Sequence, residues 1–256
     1  MNGTVRLDVA DGVATVVFDR PQSHNAMTFA MYEQLGAAIG RVGADPSVRA
    51  VVLRGSGNAF VAGTDIAEFT ALHSAEDGVV YEARIEVAIA AIEALPMPTL
   101  AVVEGAAMGG GLIIAGGCDL RLVTPSARFG APIARTVGNC LSARNTARLV
   151  AAFGASRARR ILLLAETVDA ETAAACGFAL PVVARDALEA RLAELLGTLK
   201  AHAPITMRVA KEAMRRHLSP PDPLDDDLVR LAYGSDDFRE GVAAFLAKRP
   251  PKWIGG

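Results

Sequence analysis

Residues 108–120 read MGGGLIIAGGCDL, three glycines ahead of an apolar run, and this stretch constrains the chain more than any other. Glycine inside a helix costs about 1 kcal/mol relative to alanine, so a helix opening at Gly109 to Gly111 needs a compensating gain. The first N–H groups of a helix have no intrahelical partners, and residues without Cβ let a ligand atom approach them closely. Aligned peptide dipoles add partial positive charge at the same place. The pattern predicts a backbone site for a negatively charged oxygen.

Strand, loop and helix recur three times, at VVFDRP, VVLRGSG and AVVEGAAMGGG, without sequence repetition. This predicts stacked β/α turns whose strand-end loops gather on one face. Val5–Val9 and Val13–Asp19 flank Asp11-Gly12, a pair that accepts positive φ, and read as a hairpin. Thr28 caps a helix running to about Val42, and Ala50–Leu53 is a short buried strand. Asp65 and Glu68 form a near capping box that opens a further helix. Ile85, Ile89, Ile92 and Leu95 recur at helical spacing until Pro96 and Pro98 stop the run. Thr99–Val103 and Asp119–Val123 are expected strands on either side of a helix over 109–117. The segment 142–176 is expected to be mostly helical, Pro181–Val183 a strand, and 186–199 a helix. A last helix, after the loop SPPDPLDDD, would set Phe238, Val242 and Phe245 on one side.

A chain of 256 residues is near the limit of one hydrophobic core, which favours a core over 1–200 with a helical appendage over 201–256. A net charge of -2 without a basic stripe argues against nucleic acid as a partner. Neither a signal peptide nor a membrane span is expected, because glycines, prolines and Glu93 and Glu104 break the apolar tract. Cys118, Cys140 and Cys176 lack a CxxC pair and read as reduced thiols of a cytoplasmic protein. His73, His202 and His217 show no metal spacing, so no metal is expected.

The loop AFVAGTD also ends at a helix start, so its N–H groups can complete a two-donor oxyanion hole with the triple glycine. FVAGTDI, the GGG helix with CDL beyond it, DRPQSHNAM near the start and EGVAAFLAKRPPKW near the end resemble, in that order, the crotonase (enoyl-CoA hydratase/isomerase) family. The resemblance implies an α/β fold, a spiral of ββα turns with a helical C-terminal region, assembled as a homotrimer or a dimer of trimers. It implies an acyl-CoA thioester as ligand, with coenzyme A as part of the substrate and no separate cofactor. By position, the backbone N–H groups of Thr64 and Gly110 would hold the thioester oxygen. The loop 20–27, with His24 and Ala26, and Ala62 would contact the CoA nucleotide, joined by Phe245 and Lys248 from the same or an adjacent chain.

The chain departs from that family where protons are moved. The two glutamates used by the hydratases fall at Ile113 and Ile133 here, so both carboxylates are absent. Each loss of such a group typically removes about 10²–10⁴-fold in rate, whereas the oxyanion hole is untouched. Asp65 is expected to cap a helix, Glu68 to cap reciprocally or face solvent, and Glu104 to take an exposed or hydrogen-bonded strand-end role. Asn139 and Cys140, in IARTVGNC, are expected beside the acyl group, Asn139 as a hydrogen-bond donor; a free cysteine is more often inert. Three activities fit these residues: an enolate-stabilising hydratase or isomerase, a malonyl-type CoA decarboxylase, or a non-catalytic acyl-CoA carrier gripping its ligand with Ile113 and Ile133. Family decarboxylases carry a histidine where this chain has Thr64.

Overall fold

The computed structural model describes residues 3–71 and 75–217, together with 236, 240, 247, 249 and 252–255. Strands β1 (Thr4–Ala10) and β2 (Val13–Asp19) form the expected antiparallel hairpin. Asp11 and Gly12 both have positive φ, 51° and 75°, the turn whose twist matches two paired strands. β2 continues into a parallel sheet with β3 (Ala50–Gly55), β4 (Thr99–Val103) and β6 (Leu120–Val123), in the order β1-β2-β3-β4-β6. β4 is buried along its whole length and β3 over its first four residues, as continuous apolar runs in a sheet covered on both faces require.

A second sheet of β5 (Ala106–Met108), β7 (Arg128–Gly130) and β8 (Val168–Asp169) lies beyond the strand ends. Helix α1 (Phe29–Ala44) is capped by Thr28, whose hydroxyl accepts from the Met31 N–H at 3.2 Å. Its Met31, Leu35, Ile39 and Val42 are buried at helical spacing. Helix α2 (Ala75–Glu93) buries Tyr81, Ile85, Ile89 and Ile92 in the same core. Helix α3 (Gly110–Gly117) is buried nearly all round, between α2, β5 and α5 (Ala143–Leu163).

Two local expectations are revised and a third is refined. The segment after Asp65 is a 3-10 helix over Ile66–Ala71, separate from α2, and Glu68 does not close a capping box. Its Oε2 instead accepts from the Phe29 N–H at 2.9 Å, capping α1 from a distance. The segment 142–176 is mostly helical, as expected, with a break at Gly154 (φ 74°, ψ 155°) and β8 between α5 and α6 (Ala170–Ala175). Pro181–Val183 is extended but not a strand. Leu180 N–H donates to Arg121 at 2.9 Å and Val183 N–H to Val123 at 3.0 Å, while Pro181 has no N–H to offer β6. Asp119 precedes β6, and its Oδ2 accepts from Thr99 N–H at 2.6 Å and Lys211 Nζ at 2.6 Å.

Lys211 belongs to α8 (Pro204–His217), which follows α7 (Leu188–Ala201), so this ion pair fastens the chain beyond residue 200 to the strand β4. Trp253 Nε1 donates to Ala201 at 3.0 Å. The expected last helix with Phe238, Val242 and Phe245, the loop SPPDPLDDD, Lys248 and His73 lie outside the described residues. Among the described residues, no helix is long and apolar enough to cross a membrane.

Candidate active site

The two glycine loops meet. After β3 the chain returns alongside β5: Phe60 and Val61 N–H both donate to Ala106, at 3.1 and 3.0 Å, and Met108 N–H donates to Val61 at 3.0 Å. Gly63 (φ 115°) and Gly109 (φ 49°) adopt backbone angles that residues with a Cβ rarely reach. A Cβ on Gly63 would stand 3.3 Å from the Met108 carbonyl, and one on Gly111 would overlap the Val61 carbonyl. The turns therefore touch through backbone. Thr64 and Gly110 both line one cavity of about 220 Å³, and among the described residues neither N–H takes part in a backbone hydrogen bond.

A chain of three hydroxyls sits behind this point. Thr64 Oγ1 lies 2.9 Å from the Tyr32 hydroxyl and 2.8 Å from that of Tyr81. Burial pushes the Tyr32 phenol well above its ordinary range and the Tyr81 phenol up to about 12, so both remain neutral hydrogen-bonding groups near pH 7. They join α1 and α2 to the Thr64 turn, fixing its backbone from the side chain outward. A Cβ on Gly110 would collide with the Tyr32 hydroxyl, so the glycine is what lets α1 pack here.

The loop 20–27 runs beside the same turn. Ala62 N–H donates to His24 at 3.0 Å, Met27 N–H to Gly63 at 2.8 Å, and Asp65 N–H to Met27 at 2.8 Å, placing His24, Ala26 and Ala62 together. His24 is exposed and Ala62 lines the 220 Å³ cavity. Asn25, buried and in the left-handed region at φ 59°, pins the loop. Its Oδ1 accepts from Arg20 N–H at 2.9 Å, and its Nδ2 donates to the Ser56 and Ala59 carbonyls, both at 2.8 Å. Arg20 also pairs with Asp65 at 2.7 Å. Asp65 caps as expected, accepting from Ala67 N–H, and that bond, with Arg20 beside it, holds its carboxyl below the usual range. Phe245 and Lys248 lie outside the described residues.

The opposite wall is made of side chains. Ile113, on α3, and Ile133, first residue of α4 (Ile133–Thr136), both line the 220 Å³ cavity, with Asn139. Asn139, Tyr81, Glu82 and Phe69 are shared with a larger cavity of about 760 Å³, which Cys140 also lines. Cys140 thus stands on the outer cavity and not beside the two glycine turns. Asn139 Oδ1 is buried without a partner among the described residues. Glu104 takes the strand-end role, paired with Arg185.

The sequence reading missed Glu82. Among the described residues lining the 220 Å³ cavity it is the single carboxylate. Its Oε2 accepts from the Ser142 N–H at 2.9 Å, and burial holds its carboxyl above the ordinary range, with Glu86 adding to the effect. The available signal was its place next to Tyr81 on the edge of the buried α2 stripe. Among the described residues, no group of three or more His, Cys, Asp or Glu side chains is placed to hold a metal ion.

Known proteins share this fold. The sequence matches the enoyl-CoA hydratase/isomerase family over residues 8–256. A probable enoyl-CoA hydratase of Rhodobacter capsulatus is 35% identical over 256 residues, covering 98% of each chain. The mitochondrial methylglutaconyl-CoA hydratase of Mus musculus is 29% identical, covering 95% of this chain and 80% of its own. The crystal structure of an enoyl-CoA hydratase/carnithine racemase from Magnetospirillum magneticum superposes with a TM-score of 0.91 at 33% identity, covering 98% of this chain and 96% of that one.

Proposed function

This chain belongs to the enoyl-CoA hydratase/isomerase family, and from that premise we propose that it binds an acyl-CoA thioester and stabilises the enolate of its acyl group. The thioester oxygen sits between the N–H groups of Thr64 and Gly110. As electrons move from Cα toward that oxygen, both donors strengthen without reorganising, each worth roughly 2.7–4 kcal/mol. The observation that carries the reading is the abutment of two glycine turns whose residues Thr64 and Gly110 line one cavity, with neither N–H taken up by a backbone partner among the described residues. The acyl chain enters between Ile113 and Ile133, and the CoA nucleotide lies along His24, Ala26 and Ala62. The protein works as a homotrimer or a dimer of trimers.

The apolar pair Ile113 and Ile133 also favours a second reading, a carrier that holds an acyl chain and leaves it unchanged, because buried carboxylates carry a desolvation cost that isoleucine avoids. Deuterium exchange at Cα separates the two. Hexanoyl-CoA incubated in D₂O with the protein should lose its Cα protons to solvent if an enolate forms. Tight calorimetric binding without exchange is the carrier's signature. A matched pair of variants tests the donor itself: Gly110→Ala with Tyr32→Phe keeps the N–H and removes the clash, whereas Gly110→Pro with Tyr32→Phe deletes the N–H. Exchange should fall by about 10²–10³ between the alanine and proline variants.

A further inference from the structure

An enolate needs a group that removes the Cα proton, and both positions that carry glutamates in the hydratases are isoleucine. We propose that Glu82 is the catalytic acid-base residue of this chain, and that it moves a proton within the bound acyl group instead of adding water to it. The assignment rests on the acyl-CoA reading above.

Four features carry it. Glu82 is the single carboxylate among the described residues of the cavity that holds Thr64 and Gly110, and no other described acid reaches that wall. One of its oxygens is held by the Ser142 N–H, which fixes the carboxyl and leaves the other oxygen without a protein partner among the described residues. Tyr81, the preceding residue, bonds to Thr64 Oγ1 at 2.8 Å, so this turn of α2 is tied to the turn that offers the Thr64 N–H. The charged neighbours of Glu82 are otherwise engaged: Glu86 on the same helix pairs with Arg144 at 3.2 Å, and Arg148 with Glu93 at 2.7 Å. Among the described residues no cation pairs with the Glu82 carboxylate, and burial raises its proton affinity, the direction a general base working on a weak carbon acid needs.

A lone carboxylate facing isoleucines suits one reaction better than others. Ile113 and Ile133 offer nothing to orient a nucleophilic water. A β,γ-unsaturated acyl-CoA needs only one group. The carboxylate takes a proton from Cα; the C–H electron pair forms the C1–Cα double bond, and the carbonyl pair moves onto the oxygen held by the two amides. The same carboxyl then returns that proton to Cγ: the Cβ–Cγ π pair forms the new C–H bond, the C1–Cα π pair becomes the Cα–Cβ double bond, and the oxygen pair re-forms the carbonyl. No oxidant, water or second acid is consumed. The 760 Å³ cavity beyond Tyr81 and Asn139 gives room for the acyl tail.

Three measurements on the full chain test the assignment: Cα exchange of hexanoyl-CoA in D₂O, conversion of a β,γ-unsaturated hexenoyl-CoA to its α,β isomer, and calorimetric affinity. Glu82→Gln keeps an acceptor for Ser142 N–H and should lower both rates by about 10²–10⁴ with affinity changed only a few-fold, while Glu82→Asp recovers part of the loss. Exchange that persists within a few-fold in Glu82→Gln overturns the role of Glu82 and leaves the enolate reading intact. A wild-type protein that binds hexanoyl-CoA but neither exchanges its Cα protons nor converts the β,γ-unsaturated hexenoyl-CoA overturns both.

Discussion

The cavity has a floor and a wall built on different principles. The floor, Gly63-Thr64 and Gly109 to Gly111, is backbone against backbone, where a Cβ added at Gly63, Gly110 or Gly111 would meet a carbonyl oxygen or the Tyr32 hydroxyl. The wall, Ile113, Ile133, Asn139 and Glu82, is side chains on three helices and one loop, beside 760 Å³ of space. The donors of the floor are backbone N–H groups, held by the glycines and by the hydroxyls of Thr64, Tyr32 and Tyr81, so they stay in place when a wall residue changes. The wall can change its chemistry one residue at a time without disturbing the fold. On the reading proposed above, the electrostatic half of an acyl-CoA site is retained at the floor and the proton-transfer half is rebuilt on the wall.

The contrast is sharpest in stability. Gly111→Ala forces a methyl into the Val61 carbonyl and should cost about 1–3 kcal/mol or more, whereas Ile133→Ala on the half-exposed wall should cost about 1 kcal/mol or less. Urea denaturation of the two variants reads the difference; equal midpoints would erase the distinction. Thr64→Val probes the floor from its side chain. It strands the hydroxyls of Tyr32 and Tyr81 and should cost about 1 kcal/mol. Proton exchange should change only a few-fold, since the donor is the backbone; a collapse of exchange would move the chemistry into the hydroxyl.

The smallest effect is expected with acid. Asp65 has its carboxyl held below the usual range by the Ala67 N–H and Arg20, so its contribution is complete above the unfolded value of about 3.9 and is lost as pH falls through the lower folded value. Asp65→Asn should flatten that part of the acid limb in a thermal-melt series between neutral pH and acid. An unchanged limb would show that the link between loop 20–27 and the Thr64 turn does not depend on this ion pair.

What the sequence revealed follows the same division. Features set by neighbours in the chain were legible: the Asp11-Gly12 hairpin, the Thr28 cap, the Asp65 cap and the helix behind three glycines. Family resemblance located Ile113 and Ile133, and the structure brings them to one cavity. Long-range partners were not legible. Glu68 caps a helix 39 residues away, Asn25 reaches Ser56 and Ala59, and Tyr32 and Tyr81 meet only through Thr64. Glu82 was missed because a carboxylate beside a buried helical stripe reads as a solvated edge until the 137–145 segment is seen closing over it. Cys140, adjacent in sequence to Asn139, lines only the outer cavity.

Infrared difference spectroscopy of hexanoyl-CoA carrying carbon-13 at its thioester carbonyl probes the two-amide floor most directly. The bound carbonyl stretch should move to lower frequency in the wild type and in Gly110→Ala with Tyr32→Phe, and return toward the free value in Gly110→Pro with Tyr32→Phe. A band at the same position in all three proteins would mean that the Gly110 amide does not hold this oxygen.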